Sequence, residues 1–187
     1  DSNSSSSSSS SLETTVIEDG VSIQLNVAQC YWSTRLSGER QELIKDILRL
    51  RSRSSSKPLV IADVFCGTGA VCLLLAKKIK DEVQAEQKLL QQQTPTTTLF
   101  QEQEQEQPSL TVLANDWNQI AIDYMTKSIK LNGMDGNGNG STNTNSSSSM
   151  LNFELSCRDS YDFISELGVE QPKKLKTSIN KRLSLIH

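Results

Sequence analysis

Apolar residues occur in short runs separated by longer polar stretches, and each run predicts one element of a mixed fold. Apolar and polar residues alternate from 14 to 27 around Asp19-Gly20, which predicts two strands joined by a tight turn. Residues 59–65, broken only by Asp63, and residues 110–116 are mostly apolar, as in strands buried on both faces. Residues 151–155 form another such run. The pattern therefore predicts a hairpin followed by three core strands.

Helical patterns lie between these predicted strands. We predict a helix from an N-cap at Ser37 to Leu50, with an apolar stripe on one side. The stripe consists of Leu43, Ile44, Ile47 and Leu48. Residues 70–79 and 120–131 predict two further helices, the second ending at the C-cap Asn132-Gly133, and a loop-to-helix segment follows residue 159. The resulting βαβαβ order predicts an α/β fold with a Rossmann-like parallel sheet and right-handed crossovers.

Three low-complexity tracts interrupt the pattern. Residues 1–13 are rich in Ser, residues 84–109 in Gln, Glu and Thr, and residues 134–149 in Gly, Asn and Ser. Such tracts bury too little apolar surface to offset the entropy of ordering them. We therefore predict a disordered tail and two disordered inserts, and a partial domain that covers residues 14–187 apart from the inserts.

Composition excludes several classes of site. The net charge of −3 and the pI near 5.3 do not indicate nucleic-acid binding by themselves. The four cysteines form no Cys-x-x-Cys pair and His187 is the one histidine, so we predict no metal site. The sequence has no signal peptide and no run of apolar residues long enough for a membrane helix. We therefore predict an intracellular protein.

The glycine motif Asp63-x-x-x-Gly67-x-Gly69 lies between a predicted strand and a predicted helix. It lacks the third glycine of dinucleotide-binding motifs and the Gly-Lys-Ser/Thr of phosphate loops. A short turn with an acidic residue suits a ligand that has a cationic amine and no pyrophosphate, such as S-adenosylmethionine. An ordinary turn between strand and helix is the alternative interpretation of the motif taken alone.

Acidic residues also follow the next two predicted strands. Asp116 is placed to accept both ribose hydroxyls of a bound nucleoside, although the tract from 84 to 108 lengthens the usual spacing of about 20 residues. Asp159 is placed to accept a hydrogen bond from the adenine amino group. The carboxyl ends of parallel strands meet at one edge of a sheet. Three acidic groups at that edge therefore predict an S-adenosylmethionine site.

Five motifs occur in order along the chain: Tyr31-Trp-Ser-Thr-Arg-Leu-Ser-Gly-Glu-Arg40, Asp63-Val-Phe-Cys-Gly-Thr-Gly69, Ala114-Asn-Asp-Trp-Asn118, Ile129-Lys-Leu-Asn132 and the segment from Asp159 to Ile164. With them the chain resembles the tRNA guanine-37 N1-methyltransferase family of eukaryotes and archaea. The block that starts at Tyr31 is the most specific part, because the glycine motif alone would fit any class I methyltransferase. The resemblance covers residues 14–164 apart from the two inserts.

The resemblance implies a class I methyltransferase fold and S-adenosylmethionine-dependent methylation of N1 of guanosine 37, next to the tRNA anticodon. It implies that Glu39 is the general base and that Arg35 lies beside it. The cofactor-binding residues that it implies are Tyr31, Arg40, Asp63, Gly67, Gly69, Asp116, Trp117, Asp159 and Ser160. Structural alternatives stay open for Tyr31 as a core aromatic and for Glu39 as an acid that compensates a helix dipole.

The family's Asn-Leu-Pro motif and its tRNA-binding domain are not found in these 187 residues. We therefore expect a central fragment or a truncated gene model that is inactive alone. A wybutosine-pathway aminocarboxypropyl transferase and a cofactor-binding fragment without activity are the alternatives. Trp117-Asn118 resembles the former, whereas Glu39-Arg40 and Asn115-Asp116 favour the methyltransferase. The implied partner is the anticodon loop of tRNA, bound by a monomer in the cytoplasm, mitochondrial matrix and nucleus.

Overall fold

A computed structural model describes residues 12–53, 58–93, 110–135 and 150–168 of the chain. The strands are β1 (Glu13–Glu18), β2 (Val21–Asn26), β3 (Leu59–Asp63), β4 (Leu110–Asn115) and β5 (Leu151–Ser156). The helices are α1 (Ser37–Arg53), α2 (Ala70–Gln93), α3 (Gln119–Leu131) and α4 (Ser160–Glu166). A short 3-10 helix, Thr34–Leu36, leads directly into α1.

The three core strands form a parallel sheet in the order β3, β4, β5. Their first residues are in register, with Leu59 opposite Leu110 and Leu110 opposite Leu151. The predicted α/β class and the parallel arrangement are therefore confirmed. Strand β3 ends at Asp63 and β4 at Asn115, earlier than the apolar runs suggested.

The hairpin predicted at the start of the chain is also confirmed. Strands β1 and β2 pair in antiparallel fashion as a separate two-stranded sheet. Asp19 and Gly20 connect them with φ angles of 48° and 76°, as a type I′ turn requires. The alternating residues Val21, Ile23 and Leu25 of β2 are fully buried. One face of the hairpin therefore closes the core.

Helix α3 covers the edge of β2 that faces away from β1. Ser22 donates its backbone N–H to Asn132 Oδ1, and Gln24 donates its backbone N–H to Ser128 Oγ, both at 2.9 Å. The Asn132 amide donates in turn to the Ser22 carbonyl at 2.8 Å. These bonds satisfy backbone groups that a two-stranded ribbon leaves unpaired.

Two predicted helix boundaries need correction. Ser37 is not an N-cap, because it has the helical angles φ −60° and ψ −42° and continues the 3-10 helix. Helix α2 does not end near residue 79 but runs to Gln93, ten residues into the tract predicted as an insert. The Gln, Glu, Lys, Leu and Ala residues of that stretch are good helix formers, which accounts for the extension. The rest of that tract, residues 94–109, lies outside the described residues.

The second predicted insert begins too early, because Met134 is only 2% exposed and packs in the core. Its N–H donates to the Ile129 carbonyl, and the N–H of Gly133, which has a φ of 58°, donates to the Lys130 carbonyl. This pair of bonds is a Schellman motif, in which a hydrophobic residue after the glycine packs back on the helix. It confirms the predicted C-cap of α3. Residues 1–11 and 136–149 lie outside the described residues.

Candidate functional site

A cleft of about 580 Å³ opens at the carboxyl ends of β3 and β4. Its volume lies within the range of about 300–1,000 Å³ that is usual for small-molecule sites. Five residues of the predicted cofactor site line it: Tyr31, Arg40, Asp63, Gly67 and Asp116. The sequence motifs from three separate parts of the chain therefore meet in one cavity.

Asp63 occupies the last position of β3 and is partly buried in the cleft wall. Its Oδ1 accepts the Phe65 N–H and its Oδ2 accepts the Cys72 thiol, both at 3.3 Å. Burial raises the pKa of Asp63, while these hydrogen bonds oppose that shift. A carboxylate held in such a place gains most from a cationic ligand, which restores the interactions lost with water.

We expect Asp63→Asn to raise the melting temperature at neutral pH. The pKa of Asp63 in the folded protein is raised above its unfolded value, so stability is lost as the pH rises through the folded pKa. Removing the charge removes that loss, and near pH 3 the two proteins should melt alike because the carboxyl is then largely protonated. Thermal melts at both pH values measure the difference. A lower melting temperature at neutral pH would show that the carboxylate stabilises the fold.

Asp116 closes the glycine turn from the neighbouring strand. Its Oδ2 accepts the Gly67 N–H at 2.8 Å, and its Oδ1 accepts the Asn118 N–H at 2.9 Å. The Cys66 N–H also bonds the Asn115 carbonyl at 2.9 Å. Each carboxylate oxygen has a second lone pair for a ligand hydroxyl. Asp116 therefore shapes the cleft and remains able to accept hydrogen bonds within it.

Gly69 lies under the turn rather than in the cleft wall. It has a φ of 82°, and a Cβ built on it would come within 2.6 Å of Met125 Cγ in the core.

Burial raises the pKa of the Cys66 thiol, as do the nearby Asp63 and Asp116 carboxylates. A raised pKa favours the protonated thiol, which is the unreactive form.

Arg40 is a buried cation that also lines the cleft. Its guanidinium makes an ion pair with Glu18 of β1 and lies 4.9 Å from the centre of the Trp32 ring. Tyr31 is next to Trp32 in sequence, and its ring is largely exposed at the cleft. The sequence placed Arg40 and Tyr31 in the site but gave no indication of Glu18.

The two predicted catalytic residues lie at the start of α1, outside the cleft lining. Glu39 is exposed in the first turn of α1, and Arg35 is exposed in the 3-10 helix before it. Neither side chain makes a hydrogen bond or ion pair with any residue that the structure describes. In the sequence both lie between Tyr31 and Arg40, which line the cleft. Because both side chains are exposed, a large substrate can reach them.

The remaining predicted site residues are not brought into the cleft. Asp159 is exposed and caps α4, with its Oδ1 accepting the Tyr161 N–H at 2.7 Å, and Ser160 begins that helix. Trp117 is 86% exposed. None of these three lines the cleft. Their predicted contacts with a cofactor therefore stay predictions.

Asn115 is a structural support that sequence reasoning missed. It is buried, and its amide donates to the carbonyls of Val64 and Arg158 at 3.3 and 3.1 Å. Its Oδ1 accepts the Ser156 hydroxyl at 2.8 Å. Asn115 thus ties together the chain that leaves β3, the end of β5 and the segment after it. A polar residue inside an apolar run was the available signal.

No helix in the described ranges is long and apolar enough to span a bilayer. In the same ranges, no three or more His, Cys, Asp or Glu side chains converge as metal ligands would.

Two known proteins with related names are similar to this chain. A tRNA (guanine(37)-N(1))-methyltransferase 2 from Phaeodactylum tricornutum is 29% identical over 164 residues, covering 88% of this chain and 20% of that protein. A tRNA (guanine(37)-N(1))-methyltransferase 1 from Vitis vinifera is 31% identical over 125 residues, or 67% of this chain and 14% of that protein. The resemblance predicted from the motifs is therefore confirmed, and the chain spans at most a fifth of the length of these two relatives.

The crystal structure of Trm5b from Pyrococcus abyssi is 25% identical, with a TM-score of 0.47, over 80% of this chain and 29% of that one. No protein-family model matches the chain.

Proposed function

We propose, on the premise that this chain is a relative of the tRNA (guanine(37)-N(1))-methyltransferases, that it binds S-adenosylmethionine for methylation of N1 of guanosine 37 in tRNA. One observation carries the proposal. The carboxylates of Asp63 and Asp116 flank the Gly67 turn inside a cleft of suitable volume at the carboxyl ends of two parallel strands. That is the edge where open α/β sheets bind nucleosides and related ligands.

The chemistry of the cleft fits this cofactor. The ribose hydroxyls can donate to Asp116, and the ammonium group can donate to Asp63, whose buried carboxylate favours a cation. The cofactor's own carboxylate suits the cation of Arg40, which lines the same cleft. Gly67 has no side chain to obstruct the close approach of a ligand. When bound, S-adenosylmethionine supplies a methyl group activated by its sulfonium.

The chain's own contribution to the reaction is acid–base chemistry and positioning. N1 of guanine carries a proton and is a weak nucleophile until a base removes it. We assign that proton to a Glu39 carboxylate oxygen, since Glu39 is exposed at the start of α1, next to Arg40 of the cleft wall. Arg35, one turn earlier, is placed to steady the guanine or a neighbouring phosphate. Holding the reacting groups together supplies much of the acceleration.

Exposed aromatic side chains at the cleft support a nucleic-acid substrate. Tyr31 and Phe65 both line the cleft and are largely exposed, and Trp117 directly follows Asp116. Such rings stack on unpaired bases, which is how proteins hold single-stranded loops of RNA. The aminocarboxypropyl transferase alternative is not favoured, because the relatives named above are N1-methyltransferases.

The proposal is tested with protein expressed from the complete reading frame that encodes this chain. The protein is incubated with S-adenosylmethionine and tRNA transcripts that carry G37, and the nucleosides are identified by mass spectrometry. We expect 1-methylguanosine at position 37, and none in a matched transcript with A37. An aminocarboxypropyl product, or no product despite cofactor binding, would contradict the proposed activity.

We expect Asp116→Ala to weaken S-adenosylmethionine binding by about 10- to 100-fold, through the loss of charge-assisted hydrogen bonds worth roughly 1.5–3 kcal/mol. Isothermal calorimetry gives the Kd. Asp123→Ala is a matched control, since Asp123 is an exposed acid of α3 that does not line the cleft. An unchanged Kd for Asp116→Ala would show that Asp116 does not contact the ligand. Its role would then be limited to supporting the glycine turn.

A further inference from the structure

A buried ion pair joins the hairpin to the start of α1 beside the cleft. Glu18 is the last residue of β1, and its Oε1 and Oε2 accept Arg40 Nε at 3.1 Å and Arg40 Nη2 at 2.6 Å. The two side chains keep only 11% and 10% of their surface exposed. Burial of two charges is costly, and bidentate hydrogen bonding between the guanidinium and the carboxylate offsets that cost.

Arg40 is fixed on its other sides as well. Nη1 and Nη2 both donate to the Ser33 carbonyl at 3.3 Å, and the guanidinium lies over the Trp32 ring. Arginine has five N–H groups. Its four hydrogen bonds to residues that the structure describes leave one N–H on Nη1. Arg40 lines the cleft, and this N–H is the one among its five that donates to no described residue.

Glu18 also holds the first turn of α1. The Ser37 hydroxyl donates to Glu18 Oε1 at 3.0 Å. Ser37 and Arg40 stand on either side of Glu39 in the sequence. One carboxylate of the hairpin therefore fixes residues on both sides of the proposed base.

We infer that Glu18 is a positioning residue for the cleft. Glu18 does not line the cleft itself but orients the guanidinium of Arg40, a residue that does, and it anchors the first turn of α1. The affinity for S-adenosylmethionine then depends on a hairpin side chain that never touches the ligand. The inference rests on the proposed function, since it takes that ligand as the occupant of the cleft.

The test measures S-adenosylmethionine binding by calorimetry in the protein from the complete reading frame, with melting temperatures recorded in parallel. Glu18→Gln keeps the side-chain size and removes the charge, and we expect about tenfold weaker binding. Arg40→Met should weaken binding at least as much. The double variant Glu18→Gln/Arg40→Met should bind no more weakly than Arg40→Met alone, because Glu18 acts through Arg40.

The double variant also keeps the inference falsifiable if Glu18→Gln fails to fold, because it leaves neither charge buried and unpaired. Glu82→Gln is the matched control. This variant removes a carboxylate that pairs with Arg51 of α1 at a distance of 3.0 Å, and neither residue lines the cleft. The variant should bind S-adenosylmethionine like the wild type. A lower melting temperature of Glu18→Gln with a wild-type Kd, or additive losses in the double variant, would overturn the inference. A wild type that binds no S-adenosylmethionine would instead overturn the proposed function.

Discussion

Glu39→Gln should lower the single-turnover rate of tRNA methylation by about 10² to 10⁴-fold, the usual contribution of a general base. Glutamine keeps the size of the side chain and can hydrogen-bond, but it cannot take the N1 proton. Glu39 makes no hydrogen bond to any described residue, so its replacement should leave tRNA and cofactor affinities nearly intact. Rapid-quench kinetics with saturating protein and separate binding measurements distinguish the two effects.

The competing explanation for Glu39 is compensation of the α1 dipole, which is worth at most about 1 kcal/mol. Glu42→Gln serves as the control, since Glu42 is an exposed acid one turn further along α1 that pairs with Lys45. It should methylate at the wild-type rate. A wild-type rate for Glu39→Gln, together with a lowered melting temperature, would make Glu39 a structural residue.

Gly69→Ala should lower the free energy of unfolding by about 2–5 kcal/mol. A left-handed backbone costs a residue with a Cβ about 1–2 kcal/mol, and overfilling a packed core costs about 1–3 kcal/mol more. Both costs apply here, because the φ of Gly69 is 82° and its new Cβ would meet fully buried Met125 at 2.6 Å. Urea unfolding with linear extrapolation measures the loss.

Gly133→Ala separates the two costs. Gly133 has a φ of 58°, but a Cβ there would have no atom within 4 Å, so only the backbone cost of about 1–2 kcal/mol applies. Equal losses at the two glycines would show that Met125 moves aside without cost. The close contact between Gly69 and Met125 of α3 would then not be needed to pack the glycine turn against that helix.

The elements that carry the cleft could be predicted from the sequence because their signals are local. Alternation around Asp19-Gly20 and the apolar runs near residues 59 and 110 are visible within a few residues. The length of α2 could not be predicted in the same way. Its Gln-rich end has the composition of a low-complexity insert, but its residues also have the helix propensity that extends α2 to Gln93.

The site was predictable to the extent that its residues end strands. Asp63 is the last residue of β3 and Asp116 directly follows β4, so the two share one edge of the sheet. Asp159 lies three residues beyond Ser156, far enough for the chain to turn and for its carboxylate to cap α4 instead. The pairing of Glu18 with Arg40 joins a strand to a helix across 22 residues, and no periodicity encodes such a contact.

The side chains by which α3 covers β2 make the hairpin inseparable from the rest of the domain. Ser128 and Asn132 bond Gln24 and Ser22 across 104 and 110 residues, so the outer amides of β2 have no protein partner until the chain beyond β4 has folded. Contacts this distant in sequence form late, after the entropy of closing a long loop has been overcome. Hairpin and α3 should therefore open together as one cooperative unit, with Ser22 and Gln24 amides protected from solvent exchange until α3 detaches.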